Sequence, residues 1–124
     1  MIGGDFNTSS RNPVIQHMSD VFITGAPYPV DQKDNDGTNA GREKPYDYLL
    51  CSPDWCKYEV PVEIGSHTGN SAYSNGHVFD SRVYSKTKVG NGTELDYVSP
   101  VEAGDSGASN MQHMAVIRDF EYTY

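Results

Sequence analysis

The sequence predicts the α/β (α+β) fold class, with more strand than helix and with long loops. One segment, from about Pro13 to Asp20, has apolar residues at helical spacing, with Ser9 and Ser10 as candidate N-caps. Several short segments alternate apolar and polar residues, as half-buried strands do. Stretches rich in Gly, Pro, Asn and Asp lie between them and favour turns. Together these observations predict a small, loop-rich globule.

Five segments are expected to form strands. They are residues 2–6, 46–51, 58–64, 78–84 and 114–120. Pro61 within the third segment indicates an edge strand, because proline cannot donate a ladder hydrogen bond. Asn91-Gly92 is the strongest hairpin signal in the chain. The segments 25–45 and 65–76 are expected to be long loops.

Length and charge limit the possible function classes. The 124 residues suit a single domain, and only 36% are hydrophobic, so the core is expected to be small. A net charge of -8 argues against a protein that holds nucleic acid by bulk electrostatics. It does not exclude an enzyme that reaches phosphate through a divalent cation. No membrane span is expected, and neither a secreted nor a cytoplasmic location is favoured.

Cysteine and histidine usage gives few signals. Cys51 and Cys56 are too few for a disulfide framework or a structural zinc site. Two free thiols are the prediction from the count, and a local disulfide between them is the alternative. His17, His67 and His77 lack the spacing of metal ligands, so we expect them at the surface.

Three short segments carry side chains suited to chemistry. At the end of the first strand, Asp5 could orient a water or bind a metal, and Asn7 could donate a hydrogen bond to a phosphoryl oxygen. The alternative there is an Asx turn. Asp47 lies within an apolar strand, either paired or on an edge facing water. His113 stands where a loop enters a strand, and a lone histidine at such a position usually has a structural role. With a buried aspartate beside it, His113 becomes a candidate acid, base or phosphate ligand.

In this order, the segments G-D-F-N at 4–7, Y-D-Y at 46–48 and Q-H at 112–113 resemble the C-terminal half of the endonuclease/exonuclease/phosphatase superfamily. The fold of that superfamily is the DNase-I-like α/β/β/α sandwich, and the resemblance spans residues 3–120. It implies half of that sandwich, with a mixed, mostly antiparallel sheet. It also implies phosphoester hydrolysis by in-line water attack, with Mg²⁺ or Mn²⁺ as the cofactor.

The resemblance implies a role for each matching residue. Asp5 would activate the attacking water, and Asn7 would stabilise the phosphoryl transition state. His113 would contact the scissile phosphate while Asp47 orients its imidazole. The implied metal ligands are Asp5, Asn7 and Gln112. Gln112 stands where the family usually has an acidic residue, and a carboxamide is a weaker ligand for a hard cation.

Family members normally contain a second, N-terminal half that supplies a Trp-Asn strand motif, a metal-binding Glu and another His. We therefore expect residues 1–124 to form a single partial domain, a fragment or half-sized member that is inactive as an isolated monomer. Its substrate would be a phosphoester: a nucleic acid, a phosphorylated small molecule or a lipid. Its partner would be the missing half or a second copy in a homodimer. A lone half would leave one sheet face uncovered, formed by residues such as Leu49, Val60, Val62, Val116 and Phe120.

Two other interpretations remain open. One is a non-catalytic structural or binding module that retains the motifs of the fold, which Gln112 favours slightly. The other is a calcium loop, because five residues fall at the pattern's positions 1, 3, 5, 6 and 12. These are Gln32, Asp34, Asp36, Gly37 and Glu43. Since position 1 is not acidic and no helix precedes it, a solvated turn is the prediction.

Overall fold

The computed structural model describes residues 1–8, 13–64, 72–84, 88–89, 92–93 and 100–123. These ranges contain few helices and many short strands, which agrees with a mixed α/β class. The helices are α1 (Pro13–Gln16) and α2 (Pro53–Cys56), with a 3₁₀ turn at Asp105–Gly107. The strands are β1 (Ile2–Asp5), β2 (Asp47–Leu50), β3 (Glu59–Val60), β4 (Val62–Glu63), β5 (Ala72–Tyr73), β6 (His77–Phe79), β7 (Lys88–Val89), β8 (Gly92–Thr93), β9 (Ala115–Ile117) and β10 (Asp119–Phe120).

The strand pairs of the described ranges are all antiparallel. They are β1 with β2, β3 with β10, β4 with β5, β6 with β9, and β7 with β8. The register of the first pair sets Asp5 directly opposite Asp47. Because residues directly opposite each other project from the same face, this register places two carboxylates side by side. Strand β9 lies next to β2, which brings the segment before β9 close to the same carboxylates.

The predicted helix is shorter than expected. Residues 13–20 were expected to be helical, but α1 ends at Gln16. Hydrogen-bonded turns continue beyond it, including one in which Phe22 N donates to Met18 O at 2.9 Å. Ser9 and Ser10, the candidate caps, lie outside the described residues.

Two predicted strands are each divided into two. Pro61 separates β3 from β4, which pair with different partners. Arg118 likewise separates β9 from β10. Its guanidinium forms two hydrogen bonds with the Glu59 carboxylate, at 2.6 and 2.7 Å, and a third with Leu49 O at 3.0 Å. The prediction of one continuous strand is therefore wrong in both places, because each half finds its own partner.

Other predicted elements also shift. The strand expected over 78–84 is wrong after Phe79, because the chain turns there and Val83 N donates to Asp80 O. Residues 65–71 of one predicted loop lie outside the described ranges, and its remainder contains β5. The expected hairpin near Asn91 is present as β7 and β8, with Gly92 in the second strand.

The buried apolar residues form two small clusters instead of one large core. The first contains Ile15, Tyr48 and Leu50, with Phe6, Met18 and Phe22 packed against it. The second contains Val62, Ile64 and Tyr84, with Tyr73, Phe79, Val101 and Ile117 packed against it. Val62 was expected on an uncovered sheet face, and its burial corrects that expectation. Leu49, Val60, Val116 and Phe120 are half-buried.

The loop over residues 25–45 contains no helix and no extended strand, as predicted, but it is not a solvated turn. Arg42 lies between two carboxylates, with Nη2 at 2.6 Å from Asp31 Oδ2 and Nη1 at 3.0 Å from Asp80 Oδ2. Arg82 Nε adds a contact of 2.8 Å to Asp80 Oδ1. Asp31 and Asp80 are 2% and 1% exposed. We call Asp31, Arg42, Asp80 and Arg82 the Arg42 network.

The expectation of free thiols is wrong. Cys51 and Cys56 form a disulfide, with their Cα atoms 5.6 Å apart. Helix α2 turns the chain back over this short interval, which brings the two Cα atoms within the range that a disulfide needs. The cysteine count could not show this, because a disulfide depends on the local path of the chain.

The prediction that His77 lies at the surface is also wrong, because this residue is fully buried. Its Nδ1 lies 3.0 Å from Val30 O, and its Nε2 lies 2.7 Å from the Tyr84 hydroxyl. A carbonyl oxygen only accepts, so Nδ1 carries the proton and Nε2 accepts from Tyr84. Burial lowers the pKa of His77 to about 4. His17 is exposed as expected, and His67 lies outside the described residues.

In the described part of the chain, no helix combines the length and the apolar character that crossing a membrane requires.

Candidate functional site

Asp5, Asp47 and His113 meet at one end of the β1–β2 pair. One ligand atom from each of the three side chains lies within 4.8 Å of the others. The antiparallel register brings Asp5 to Asp47, and a β-bridge between Asn39 and His113 holds the histidine in front of β9. We call these three residues the carboxylate–imidazole cluster. The structure therefore unites three of the residues selected from the sequence.

The imidazole of His113 lies between the two carboxylates. Nδ1 is 2.9 Å from Asp47 Oδ2, and Nε2 is 3.7 Å from Asp5 Oδ2. Since a carboxylate can only accept, Nδ1 carries a proton and donates it to Asp47. This hydrogen bond, with smaller contributions from the charges of Asp47 and Asp5, raises the pKa of His113 above its usual value. The two carboxylates thereby favour the protonated ring relative to an isolated imidazole.

Asn7 is bound to Asp5. Its backbone N–H donates to Asp5 Oδ1 at 2.7 Å, and its side-chain amide donates to Asp5 Oδ2 at 3.2 Å. The first bond forms the Asx turn, which is the alternative interpretation of this segment, and Asn7 has a φ of 51°. The turn and the cluster coexist. Asp5 keeps 35% of its side chain exposed, so its carboxylate remains open to solvent.

Gln112 lies apart from this arrangement. It directly precedes His113, its side chain is exposed, and it forms no hydrogen bond with Asp5, Asp47 or His113. Of the five residues chosen from the sequence, the structure thus groups Asp5, Asn7, Asp47 and His113, with Gln112 at the margin.

The cluster contains oxygen atoms that could hold a metal ion. Carboxylate and amide oxygens are the ligands that Mg²⁺ prefers, and Mg²⁺ usually retains several waters beside one or two carboxylates. Asp5 and the carbonyl of the Asn7 side chain can supply such oxygens, whereas Asp47 Oδ2 already accepts from His113. A second grouping, Cys51, Cys56 and Glu59, also brings ligand atoms together. Its disulfide removes the thiolates that a metal would need.

The calcium-loop residues do not form a comparable group. Among the described residues, neither set of converging His, Cys, Asp or Glu side chains includes Asp34, Asp36 or Glu43. The loop is instead organised by Asp31, whose Oδ1 accepts from the backbone N–H groups of Lys33 and Asn35.

A shallow cleft adjoins the cluster. It has a volume of about 330 Å³ and is lined by β1, β2 and β9, with Gly3, Gly4, Asp47 and Met114 among its walls. Asp47 links the cleft to the cluster, whereas Asp5 and His113 do not line the cleft.

Sequence inspection missed two residues that support the site. Thr38 is 1% exposed. It accepts hydrogen bonds from the backbone N–H of Asp47 and from that of Met114, which follows His113. Arg42 orders the loop that carries Thr38. A threonine and an arginine inside a loop rich in Gly, Asn and Asp give no local signal of this role.

Comparisons of the chain with protein-family models, with curated proteins and with solved structures gave no match. The functional assignment therefore depends on the residues and their geometry.

Proposed function

We propose that this chain is a fragment or half-sized member of a divalent-metal-dependent phosphoester hydrolase family, the endonuclease/exonuclease/phosphatase superfamily. Its finer fold would be half of a DNase-I-like sandwich. The observation that carries the proposal is the carboxylate–imidazole cluster, in which ligand atoms of Asp5, Asp47 and His113 lie within 4.8 Å of one another. These residues come from three separate segments of the motif pattern.

The chemistry follows from the position of each group. The exposed Asp5 carboxylate accepts a proton from a water whose oxygen bonds to phosphorus, while the bond from phosphorus to the leaving oxygen breaks. The leaving oxygen takes a proton from solvent. Asp47 holds the imidazole through Nδ1, and the Nε2–H of protonated His113, beside Asp5, donates to a phosphoryl oxygen. A bound Mg²⁺ or Mn²⁺ would stabilise negative charge on the phosphoryl oxygens.

This set of side chains is incomplete for efficient turnover. It offers few metal ligands, and an exposed cleft excludes little water. We therefore propose that the isolated monomer is inactive, and that an N-terminal half or a second copy completes the site. The substrate would be a nucleic acid, a phosphorylated small molecule or a lipid. The net charge of -8 disfavours long duplex DNA.

Mn²⁺ titration followed by NMR tests the metal site. Paramagnetic broadening should reach the amides of Asp5, Asn7 and His113 first, because they surround the proposed ligands. Asp5→Asn should abolish this selective broadening, whereas Asp54→Asn, which changes an exposed acid on α2, should preserve it. Broadening that is scattered over the acidic surface, or unchanged in Asp5→Asn, would contradict the proposal.

A phosphodiesterase assay tests the activity of the chain alone. With Mg²⁺ or Mn²⁺ and a generic phosphodiester such as bis(p-nitrophenyl) phosphate, we expect no metal-dependent turnover. Turnover that disappears in His113→Ala would show that the chain is active without a partner, which would overturn the proposed inactivity but support the chemistry.

The alternative is a non-catalytic structural or binding module, and the marginal position of Gln112 favours it. The two functions differ in their response to metal. A module of this kind would show neither selective Mn²⁺ broadening nor a loss of stability when Asp5 is replaced by Ala.

A further inference from the structure

We propose that Thr38 is a positioning residue that fixes Asp47 and His113 relative to each other. Its importance for catalysis rests on the proposed function, but its effect on geometry can be measured without any substrate. Thr38 lies in the loop of residues 25–45 and is 1% exposed. Two of its oxygen atoms accept hydrogen bonds, one from each side of the site.

The first bond holds Asp47. The N–H of Asp47 donates to Thr38 Oγ1 at 2.8 Å. Hydrogen-bonded and non-hydrogen-bonded positions alternate along an antiparallel pair, and Phe6 N donates to Tyr46 O one position away. The N–H of Asp47 consequently points away from β1 and needs another acceptor. The hydroxyl of Thr38 is that acceptor.

The second bond holds the segment that carries His113. The N–H of Met114 donates to Thr38 O at 2.7 Å, and the next loop residue, Asn39, forms the β-bridge with His113. One short stretch of loop therefore contacts the backbone of both partners in the Asp47–His113 hydrogen bond. Asp47 lies in β2 and His113 in the segment before β9, so the loop that contacts both segments determines the distance between them.

The Arg42 network holds the loop segment that contains Thr38 in place. Arg42 Nε donates to Gly37 O at 2.8 Å, and Thr38 N donates to Lys44 O at 2.9 Å. A side chain at position 37 would collide with the carbonyl group of Arg42, so the loop can pass this closely only as glycine. Ion pairs with the buried Asp31 and Asp80 in turn anchor Arg42. Thr38 is thus held by a preorganised loop.

NMR of the free protein tests the proposal through two protons, the Nδ1 proton of His113 and the amide proton of Asp47. In Thr38→Val, which removes the hydroxyl at nearly constant volume, both should exchange with solvent about tenfold faster, the equivalent of one ordinary hydrogen bond. Thr38→Ser, which restores the hydroxyl, should return both rates to those of the wild type.

Ser106→Ala is the matched control. Ser106 Oγ also accepts a bond from a buried backbone N–H, that of Ser81 at 2.9 Å, but it has no contact with the cluster. This variant should lose comparable stability without changing the exchange of the His113 Nδ1 proton. Equal acceleration in Ser106→Ala and Thr38→Val would mean a general loss of stability and would overturn the positioning role.

Unchanged exchange of both protons in a folded Thr38→Val protein would also overturn it. If Thr38→Val fails to fold, the wild type still decides the question. The amide of Asp47 must then exchange more slowly than that of the exposed Gly41 in the same loop, and equal rates would refute the proposal. None of these readouts depends on turnover or metal, so the proposed function can fail while Thr38 keeps its role.

Discussion

His113 and Asp47 are 66 positions apart in the chain, yet His113 Nδ1 lies 2.9 Å from Asp47 Oδ2. The loop at Thr38 and Asn39 contacts the backbone on both sides of this hydrogen bond. The pair therefore reports whether the loop, β2 and β9 are correctly assembled. It also raises the pKa of the only described imidazole that lies between two carboxylates.

The first prediction concerns that protonation. The hydrogen bond that His113 donates to Asp47 raises the pKa of His113, so Asp47→Asn should return the pKa towards 6.5. A raised folded pKa contributes stability below 6.5, and this stability is lost as the pH rises through the folded value. NMR titration of the imidazole measures the shift, with the exposed His17 as an internal control. A His113 midpoint that Asp47→Asn leaves unchanged would contradict the assignment.

The second prediction concerns the buried His77. Its pKa is lowered from 6.5 to about 4, so the folded protein keeps this ring neutral while the unfolded chain becomes protonated. The free energy of unfolding should therefore fall as the pH drops from 6.5 to about 4, by about 3 kcal/mol in total.

Urea unfolding of wild type and His77→Gln across this interval isolates that contribution. Glutamine retains a donor and an acceptor but does not titrate, so the variant should be less stable at neutral pH and less sensitive to acid. Equal slopes of stability against pH in the two proteins would show that other groups cause the acid sensitivity.

The third prediction concerns Arg42. Removing it as Arg42→Ala leaves the buried Asp31 and Asp80 without this shared partner, and loss of one partner of a buried ion pair costs about 3–5 kcal/mol. Arg42→Lys keeps the charge but not the planar guanidinium group, so its loss of stability should be smaller than that of Arg42→Ala. Lys33→Ala, at an exposed position of the same loop, should change stability little. Denaturant unfolding ranks the three variants, and an Arg42→Ala protein as stable as Lys33→Ala would contradict the structural role.

The fourth prediction concerns the disulfide. Because it closes a loop of few residues, replacing Cys51 and Cys56 by Ser should cost no more than about 2 kcal/mol of stability. A thiol assay on the denatured, unreduced protein should detect no free thiols. Detection of two thiols per chain would instead support the interpretation made from the cysteine count.

The sequence predicted the cluster better than it predicted the fold around it. Asp5 and His113 could be chosen because each lies where a predicted strand ends or begins, and Asp47 because a carboxylate within an apolar strand needs a partner. The interruption at Arg118 could not be predicted, because the apolar pattern of 114–120 does not show that its halves have different partners. Periodicity describes one strand at a time, and strand pairing is a property of the whole molecule.

The Arg42 network was hidden for a related reason. Arg42 and Asp80 are 38 positions apart; Arg42 stands in a polar stretch that is typical of a solvated loop, and Asp80 in a segment that predicted a strand. Composition cannot distinguish a charged residue that faces water from one that is buried against an opposite charge. His77 was misplaced in the same way, because its buried environment comes from Val30 and Tyr84, which lie outside its strand.

Strand β1 differs from its partner in one respect that affects the cluster. All four of its residues are exposed, whereas Tyr48 and Leu50 of β2 belong to the first apolar cluster. A strand with so little buried surface opens locally at a small cost in free energy, well before the rest of the molecule unfolds. When β1 frays, Asp5 leaves with it while Asp47 and His113 stay paired. The fraction of molecules with an assembled cluster is therefore a separate equilibrium, and any ligand or neighbouring strand that clamps β1 would shift it.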